Sequence, residues 1–76
     1  MTFLTKVQAL QAVETACNYI LTNNLDIQGK LIMFDNYSQA ICFWVVAGLI
    51  EPEWLNELLE YVQLARECFR KAVYEK

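Results

Sequence analysis

The stretch SQAICFWVVAGLI, residues 38–50, decides how this chain folds. It carries no charged side chain, and on a helical wheel its apolar residues leave no polar stripe. A helix that is apolar on every side must be buried on every side. We therefore expect a buried helix over residues 38–50, capped by Asp35, Asn36 or Ser38.

The same stretch is too short to cross a membrane. A spanning helix needs about 20 apolar residues, and the uncharged apolar run over residues 40–50 is roughly half that length. Polar residues precede it, and Glu51 follows it directly. We expect no membrane span.

After this stretch the sequence predicts a stop and a new helix. Gly48 is typical of a helix end, and Pro52 suits the first turn of the next helix. From Pro52 to about residue 75, helical spacing gives one narrow stripe, formed by Glu53, Glu57, Glu60, Leu64, Glu67, Lys71 and Glu75. Apolar residues cover the opposite half, which is wider than the stripe of about 100° that packs against one neighbour. We expect this helix to contact more than one element.

A second amphipathic helix is predicted at the start of the chain, over about residues 2–23. Steps of three and four place one set of apolar residues on a single face: Phe3, Val7, Leu10, Val13, Cys17, Ile20 and Leu21. Glu14 projects into this apolar arc. Its carboxylate either reaches water at the edge of the arc or forms a salt bridge with a partner.

Residues 25–37 give a less distinct pattern. Asp26 could cap a short helix, although Gly29 weakens it, and the sequence KLIMF would also suit a short strand. No other segment alternates with a period of two, so a strand here would have nothing to pair with. We expect a short helix or an irregular link.

Together these patterns predict an all-α fold. The expected architecture is a small bundle of three principal helices, at about residues 2–23, 38–50 and 52–75, with a short helical or irregular segment at 25–37. Residues 1–76 form a single domain, since a chain of 76 residues allows no more than one.

Composition supports a folded chain and argues against nucleic acid as a partner. Apolar residues make up 57% of the sequence, with two glycines and one proline, whereas disordered chains lack the apolar surface to offset ordering entropy. The net charge of −3 gives no basic surface for phosphate. A helix-turn-helix interpretation fails because Pro52 would open a recognition helix rich in glutamate. The reverse idea, an acidic DNA mimic, remains a minor alternative.

The sequence predicts no enzyme, no cofactor and no metal. Histidine is absent, which removes the commonest general base and metal ligand, and the two glycines form no phosphate-binding loop. Cys17, Cys42 and Cys68 form no CxxC pair. Because the first ten residues lack a secretory-signal pattern, we expect a cytoplasmic protein with free, buried thiols. The rival hypothesis is a small metal- or thiol-dependent catalyst that uses these cysteines and nearby carboxylates.

The predicted burial of the central helix favours an interaction protein. Two long helices and one short segment would leave part of its circumference uncovered, so a second copy or another protein must cover the rest. Large aromatic side chains anchor such interfaces, unless all of them belong to the core. We expect a homodimer, a target protein of unknown identity, or both. The candidate binding residues are Trp44, Trp54, Tyr61, Glu53, Glu57, Glu60 and Glu14. Small acidic chains of this kind, including those carried by phages and mobile elements, often act as inhibitors or adaptors, which is an analogy from size alone.

Overall fold

Three helices and one short 3-10 turn account for nearly all of the structure. The computed structural model describes residues 5–74, in the order α1 (Lys6–Thr22), α2 (Ile27–Val46), a 3-10 turn (Pro52–Trp54) and α3 (Leu55–Tyr74). Within these residues 86% are helical and no strand occurs. The predicted all-α three-helix bundle is confirmed. The first residues of the predicted helix 2–23, and residue 75 of the predicted last helix, lie outside the described part.

Helix α1 begins at a capped turn. The Thr5 hydroxyl accepts the Gln8 backbone N–H at 3.2 Å, which satisfies one of the free donors of the first turn. Four apolar residues at helical spacing are buried along one face: Ala9, Val13, Cys17 and Ile20. Val13, Cys17 and Ile20 belong to the predicted apolar face, but the prediction was wrong at its edge, because Val7 is 60% exposed and the buried Ala9 was not part of the predicted set.

Helix α2 is a single element where the sequence predicts two. The Asp26 carboxylate accepts the Gly29 N–H at 2.7 Å, so the helix begins at Ile27 and continues without a break through residue 38. The predicted helix start at Ser38 is wrong, because its hydroxyl donates to the Phe34 carbonyl at 3.1 Å within the helix. Asp35 and Asn36 also lie inside α2, so neither of them caps the start of a helix.

The end of α2 comes a few residues earlier than predicted. Gly48 has a φ of +76°, the left-handed conformation that favours glycine. The N–H groups of Gly48 and Leu49 donate to the carbonyls of Val45 and Trp44, the hydrogen-bond pattern of a Schellman cap. The chain then turns through buried Ile50 into the 3-10 turn that leads to α3.

The core lies where α3 packs against both other helices. Ion pairs and ring contacts fix the alignment: the start of α1 meets the start of α3 at Lys6 and Glu57, and Phe34 of α2 meets Phe69 of α3 with ring centroids 6.3 Å apart. Helices α1 and α2 contact each other least. The fully buried residues of the core are Ala9, Val13, Phe34, Ile41, Leu58 and Val62.

The prediction that the helix over residues 38–50 is buried on every side is wrong. The side chains of Phe43 and Val46 are 65% and 81% exposed, while Ile41 on the opposite side of the helix is completely buried. Two neighbouring helices cover only one side of α2, and nothing in the described chain covers its outer side. An apolar outer face on α2 is therefore a feature of this fold.

The expectation of three buried thiols is also wrong. Cys17 is buried in the core, but Cys42 and Cys68 are exposed. Cys42 lies on the half of α2 that the neighbouring helices leave open, and Cys68 lies on the solvent side of α3. All three cysteines are free, as predicted.

Candidate protein-binding surface

An open groove runs between α1 and α2. We call it the α1–α2 groove; its volume is about 390 Å³, and it is lined by Ala16, Tyr19, Ile20, Met33, Asn36, Tyr37 and Ala40. None of the described lining residues belongs to α3. The groove is therefore a surface feature left open by the loose approach of α1 to α2.

Residue size explains the shape of the groove. Ala16 on α1 and Ala40 on α2 have the smallest side chains in the lining. Tyr19, one turn beyond Ala16, is 65% exposed and forms a ridge on one side. Phe43, one turn beyond Ala40 and equally exposed, lies on α2 outside this lining.

A second depression extends the groove to the α1–α2 loop. Its volume is about 530 Å³, and it shares Tyr19 and Met33 with the α1–α2 groove. Asn23 orders the loop beside it: its side-chain oxygen accepts the Leu25 N–H at 2.8 Å, and its amide lies 3.3 Å from the Met33 sulfur. The two depressions adjoin at Tyr19 and Met33, and we call them together the trough.

The trough is uncharged. No residue that lines either depression carries a charge. The acids of α1 and α2 lie toward α3 instead, where Asp35 is 3.1 Å from Arg66 and Glu14 lies near Tyr61. Lys30 is turned to the same side, with its ammonium group over the Phe69 ring. The linings of both depressions are thus neutral, and the exposed Asp26 lies next to them in sequence beside Leu25.

Tyr37 connects the groove to the core. Its ring packs edge-on against Trp44, with ring centroids 5.7 Å apart, and Trp44 is itself half-buried against the core. Burial, with a smaller effect from nearby Cys17, raises the pKa of Tyr37 to about 12. The groove lining is therefore joined to the core through a packed aromatic pair.

The seven residues predicted as a binding site do not form one surface. Trp44 borders the α1–α2 groove through Tyr37, whereas Trp54 is half-buried against the core at the start of α3. Glu14 and Tyr61 lie close together between α1 and α3, and partial burial and the Glu14 carboxylate raise the pKa of Tyr61.

The acidic stripe of α3 is solvent-exposed. Glu53, Glu57 and Glu60 are all exposed, and Glu57 forms an ion pair with Lys6 at 2.9 Å. Further along the stripe, Glu67 accepts from Arg70 at 3.0 Å, and this hydrogen bond holds its pKa below the usual range. Glu57 and Glu67 are thus engaged with basic residues of the same chain, whereas Glu53 and Glu60 form no ion pair among the described residues.

Sequence reasoning missed most of the groove. The signal was present in two sets of uncharged residues at helical spacing, Ala16 with Tyr19 and Asn36 with Ala40. Taken alone, each set is indistinguishable from the ordinary uncharged side of a surface helix. Only the separation of α1 from α2 in the folded chain makes them two sides of one groove.

The described residues offer no grouping for metal chemistry. Between residues 5 and 74 no three Cys, Asp or Glu side chains lie close enough together to hold a metal ion. Burial raises the pKa of the Cys17 thiol, which disfavours the reactive thiolate at neutral pH. None of the helices in this part of the chain is sufficiently long and apolar to cross a membrane.

Comparisons of the chain with protein-family models, with curated proteins and with solved structures gave no significant match.

Proposed function

We propose that this chain is a small, non-enzymatic protein–protein interaction module that binds through the α1–α2 groove and the adjoining outer face of α2. It acts as an inhibitor or adaptor in the cytoplasm, through self-association, through a target protein, or through both. The observation that carries the proposal is an uncharged trough with exposed aromatic ridges on one side of a charged bundle.

Exposed apolar side chains on that side support this proposal. Ile32, Phe43 and Val46 follow one another along the outer face of α2, and they are 49%, 65% and 81% exposed. Exposed apolar surface of this kind, rimmed by polar residues, is characteristic of protein-binding sites. Aromatic side chains such as Tyr19 supply large contact area at low entropic cost.

The two other functions considered gain no support from the site. A catalyst built on Cys17, Cys42 and Cys68 would need these thiols to converge, but one is in the core and two are exposed. An acidic DNA mimic would need unengaged carboxylates in an extended row, and Glu57 and Glu67 are paired with basic residues. Neither observation favours a second candidate function.

Affinity capture from a lysate of the organism that encodes the chain tests the proposal. The bait is compared with two variants that place the same charge on equally exposed sites, Tyr19→Glu in the groove and Leu64→Glu on α3, where the side chain is 59% exposed. We expect Tyr19→Glu to abolish capture of a specific protein, or of the chain itself, and Leu64→Glu to retain it. Equal capture by both variants would contradict binding through the groove.

A further inference from the structure

We propose that Met33 is a redox-sensitive modification site, at which a hydroperoxide converts the thioether to a sulfoxide and adds the oxygen to one of the two faces of the sulfur. The oxidation itself is independent of the proposed function. Its effect on binding rests on the proposed function, because Met33 lines the trough through which we propose that the chain binds.

Met33 lies at the boundary between the core and the open trough. It is half-buried and packs against the core, and it is the only residue besides Tyr19 that lines both depressions. It also supplies the only sulfur among the lining residues, because Cys17 is buried and Cys42 and Cys68 lie elsewhere on the surface. A small oxidant that enters the trough therefore meets a thioether and no thiol.

A fixed hydrogen-bond donor beside the sulfur distinguishes its two faces. The side-chain amide of Asn23 donates to the Met33 sulfur at 3.3 Å. The amide oxygen accepts the Leu25 N–H at 2.8 Å, so the NH₂ group is the end that points to the sulfur. The backbone N–H of Asn23 donates to the Tyr19 carbonyl at 3.1 Å, which holds the residue in place. A thioether sulfur has two lone pairs, and because the amide engages one of them, the other is left to attack an oxidant.

The reaction is complete with a hydroperoxide as the only co-reactant. The free lone pair of the sulfur attacks one peroxide oxygen, an S–O bond forms and the O–O bond breaks. The proton of the transferred hydroxyl group passes to the departing oxygen, which leaves as water when the oxidant is hydrogen peroxide. The sulfur gives up two electrons and the peroxide accepts them. The product is methionine sulfoxide, which reductases return to the thioether.

Oxidation changes the surface of the trough. Sulfoxide formation converts a flexible apolar side chain into a polar, chiral one. At Met33 it places a strong acceptor oxygen in a lining that carries no charge and packs partly against the core. A partner that covers this lining then buries a polar group, which is costly unless the partner offers it a hydrogen-bond donor. Reversible oxidation of Met33 therefore regulates binding through the trough.

Oxidation of the purified full chain by hydrogen peroxide tests the site without any partner. The exposed thiols are first alkylated, free methionine is added as an internal competitor, and peptide mass mapping measures the gain of one oxygen at Met33. We expect Met33 to react within about tenfold of the rate of free methionine. The two classes of methionine sulfoxide reductase each reduce one epimer, so applying them separately to the digested peptide measures the epimer ratio, which we expect to be at least about fivefold.

Two aspartate variants test the role of the amide. Asn23→Asp is the matched change, because its carboxylate keeps an acceptor for the Leu25 N–H and removes the donor to the sulfur. It should bring the epimer ratio below about twofold. Asn24→Asp is the control, since it adds the same charge to the lining of the same depression and should keep the ratio of the unmodified chain. Far-UV circular dichroism establishes that both variants are folded.

The epimer ratio can overturn the inference in two ways. A ratio near one in the folded, unmodified chain, equal to that of the chain oxidised in urea, would show that nothing directs the oxygen. A high ratio that Asn23→Asp leaves unchanged would show that the amide does not direct it. The inference also fails if Met33 stays unoxidised while the free methionine is consumed.

Affinity capture separates this inference from the proposed function. Peroxide treatment should lower capture by the unmodified chain at least about threefold, and it should leave capture by Met33→Leu, a change that conserves side-chain volume, unaltered. Equal losses in both chains would assign the effect to another residue and overturn the regulation of binding by Met33. A chain that captures nothing before treatment overturns the proposed function, whereas the epimer ratio still decides the redox site.

Discussion

At the scale of single residues, Tyr37 shows how one side chain can serve both the core and the surface. Its side chain lines the groove, and its ring makes an edge-to-face contact with Trp44. Its phenol is held neutral because the surrounding apolar residues disfavour the charged form. Neutrality matters for the proposed interface, since a phenolate there would be as unfavourable as a buried carboxylate.

The raised pKa of Tyr37 predicts a dependence of stability on pH. A tyrosine in the unfolded chain titrates near pH 10, whereas Tyr37 in the folded chain titrates at about 12. Between these values the unfolded state loses the proton first, so stability is full below pH 10 and falls as the pH rises toward 12. We expect tyrosinate absorbance to include a late component near pH 12 while circular dichroism still reports helix.

Two phenylalanine variants provide the test of that assignment. Tyr37→Phe should remove the late component and flatten the loss of stability between pH 10 and 12. Tyr19→Phe is the control, because Tyr19 is 65% exposed and should leave the late component in place. Survival of the late component in Tyr37→Phe would assign the buried phenol to another tyrosine.

At the scale of elements, α2 has a buried face and an exposed face, and replacing a phenylalanine by alanine should have different effects on the two. Phe34 is fully buried against Phe69, and Phe43 in the same helix is 65% exposed. Phe34→Ala should lower the free energy of unfolding by about 3 to 5 kcal/mol, because it removes a buried ring and leaves a cavity. In so small a domain that is comparable with the total stability.

Phe43→Ala is the matched change on the other face. In dilute protein it should change the free energy of unfolding by less than about 1 kcal/mol, since a mostly exposed ring buries little surface. Denaturant unfolding followed by circular dichroism measures both variants. If Phe34→Ala and Phe43→Ala lowered the free energy of unfolding by comparable amounts, the outer face of α2 would have to be covered within a single chain.

Helix α3 carries a second element-scale prediction, at the ion pair between Glu57 and Lys6. Both side chains are about half exposed, and an exposed pair of this kind contributes about 0 to 1 kcal/mol. Glu57→Lys should therefore lower the free energy of unfolding by no more than about 1 kcal/mol in low salt, and less in high salt. Glu60→Lys is the control, because Glu60 is exposed and has no ion pair among the described residues. A loss in Glu57→Lys well above that range would mean that this pair fixes the alignment of α1 with α3.

The elements also show what the sequence could and could not predict. The 3.6-residue pattern was sufficient for α1 and α3, because each packs one apolar face on the core. It misjudged α2, where Gly29 and Ser38 resemble helix boundaries. In the structure the Gly29 N–H donates to the capping carboxylate of Asp26, and the Ser38 hydroxyl donates to the Phe34 carbonyl inside the helix. The burial of α2 could not be predicted, because coverage depends on how many neighbours surround a helix and not on its own composition.

The groove illustrates the same limit at the scale of the site. Trp44 was predicted as a binding residue from its size and it borders the groove, but Ala16 and Ala40 give no signal of their own. Their role depends on the distance between two helices that the sequence pattern does not specify. Trp44 and Trp54, predicted as interface residues, are half-buried against the core, whereas the exposed Tyr19 that lines the groove was not predicted.

At the scale of the whole molecule, the ion pairs lie around α3, whereas the lining of the trough carries no charge. The ion pairs of Asp35, Glu57 and Glu67 all involve α3 or residues that face it, and the trough lies on the side that α3 does not cover. This separation allows an acidic chain to remain dispersed through repulsion while one neutral face is free to associate. It also determines how association responds to salt.

Self-association through a neutral face, one of the two modes of binding in the proposed function, should strengthen as salt is added. Two copies of net charge −3, whose centres lie about 20 Å apart given the 19 Å width of the bundle, repel by about 2 kcal/mol in water without screening. Raising the salt from about 10 to about 150 mM shortens the Debye length from about 30 to about 8 Å and removes roughly 0.8 kcal/mol of this repulsion. The dimer Kd should fall about fourfold.

An interface built on the acidic stripe of α3 predicts the opposite response. There Glu53, Glu57 and Glu60 would have to meet basic groups, and added salt would weaken the contact by screening that attraction. Sedimentation equilibrium at the two salt concentrations therefore discriminates between the surface that the sequence suggested and the one that the fold provides. The triple variant Glu53→Gln, Glu57→Gln, Glu60→Gln sharpens the comparison, because it brings the net charge to zero and should make the Kd of a groove-mediated dimer nearly independent of salt. A Kd that rises with salt in the unmodified chain would assign the contact to the acidic stripe.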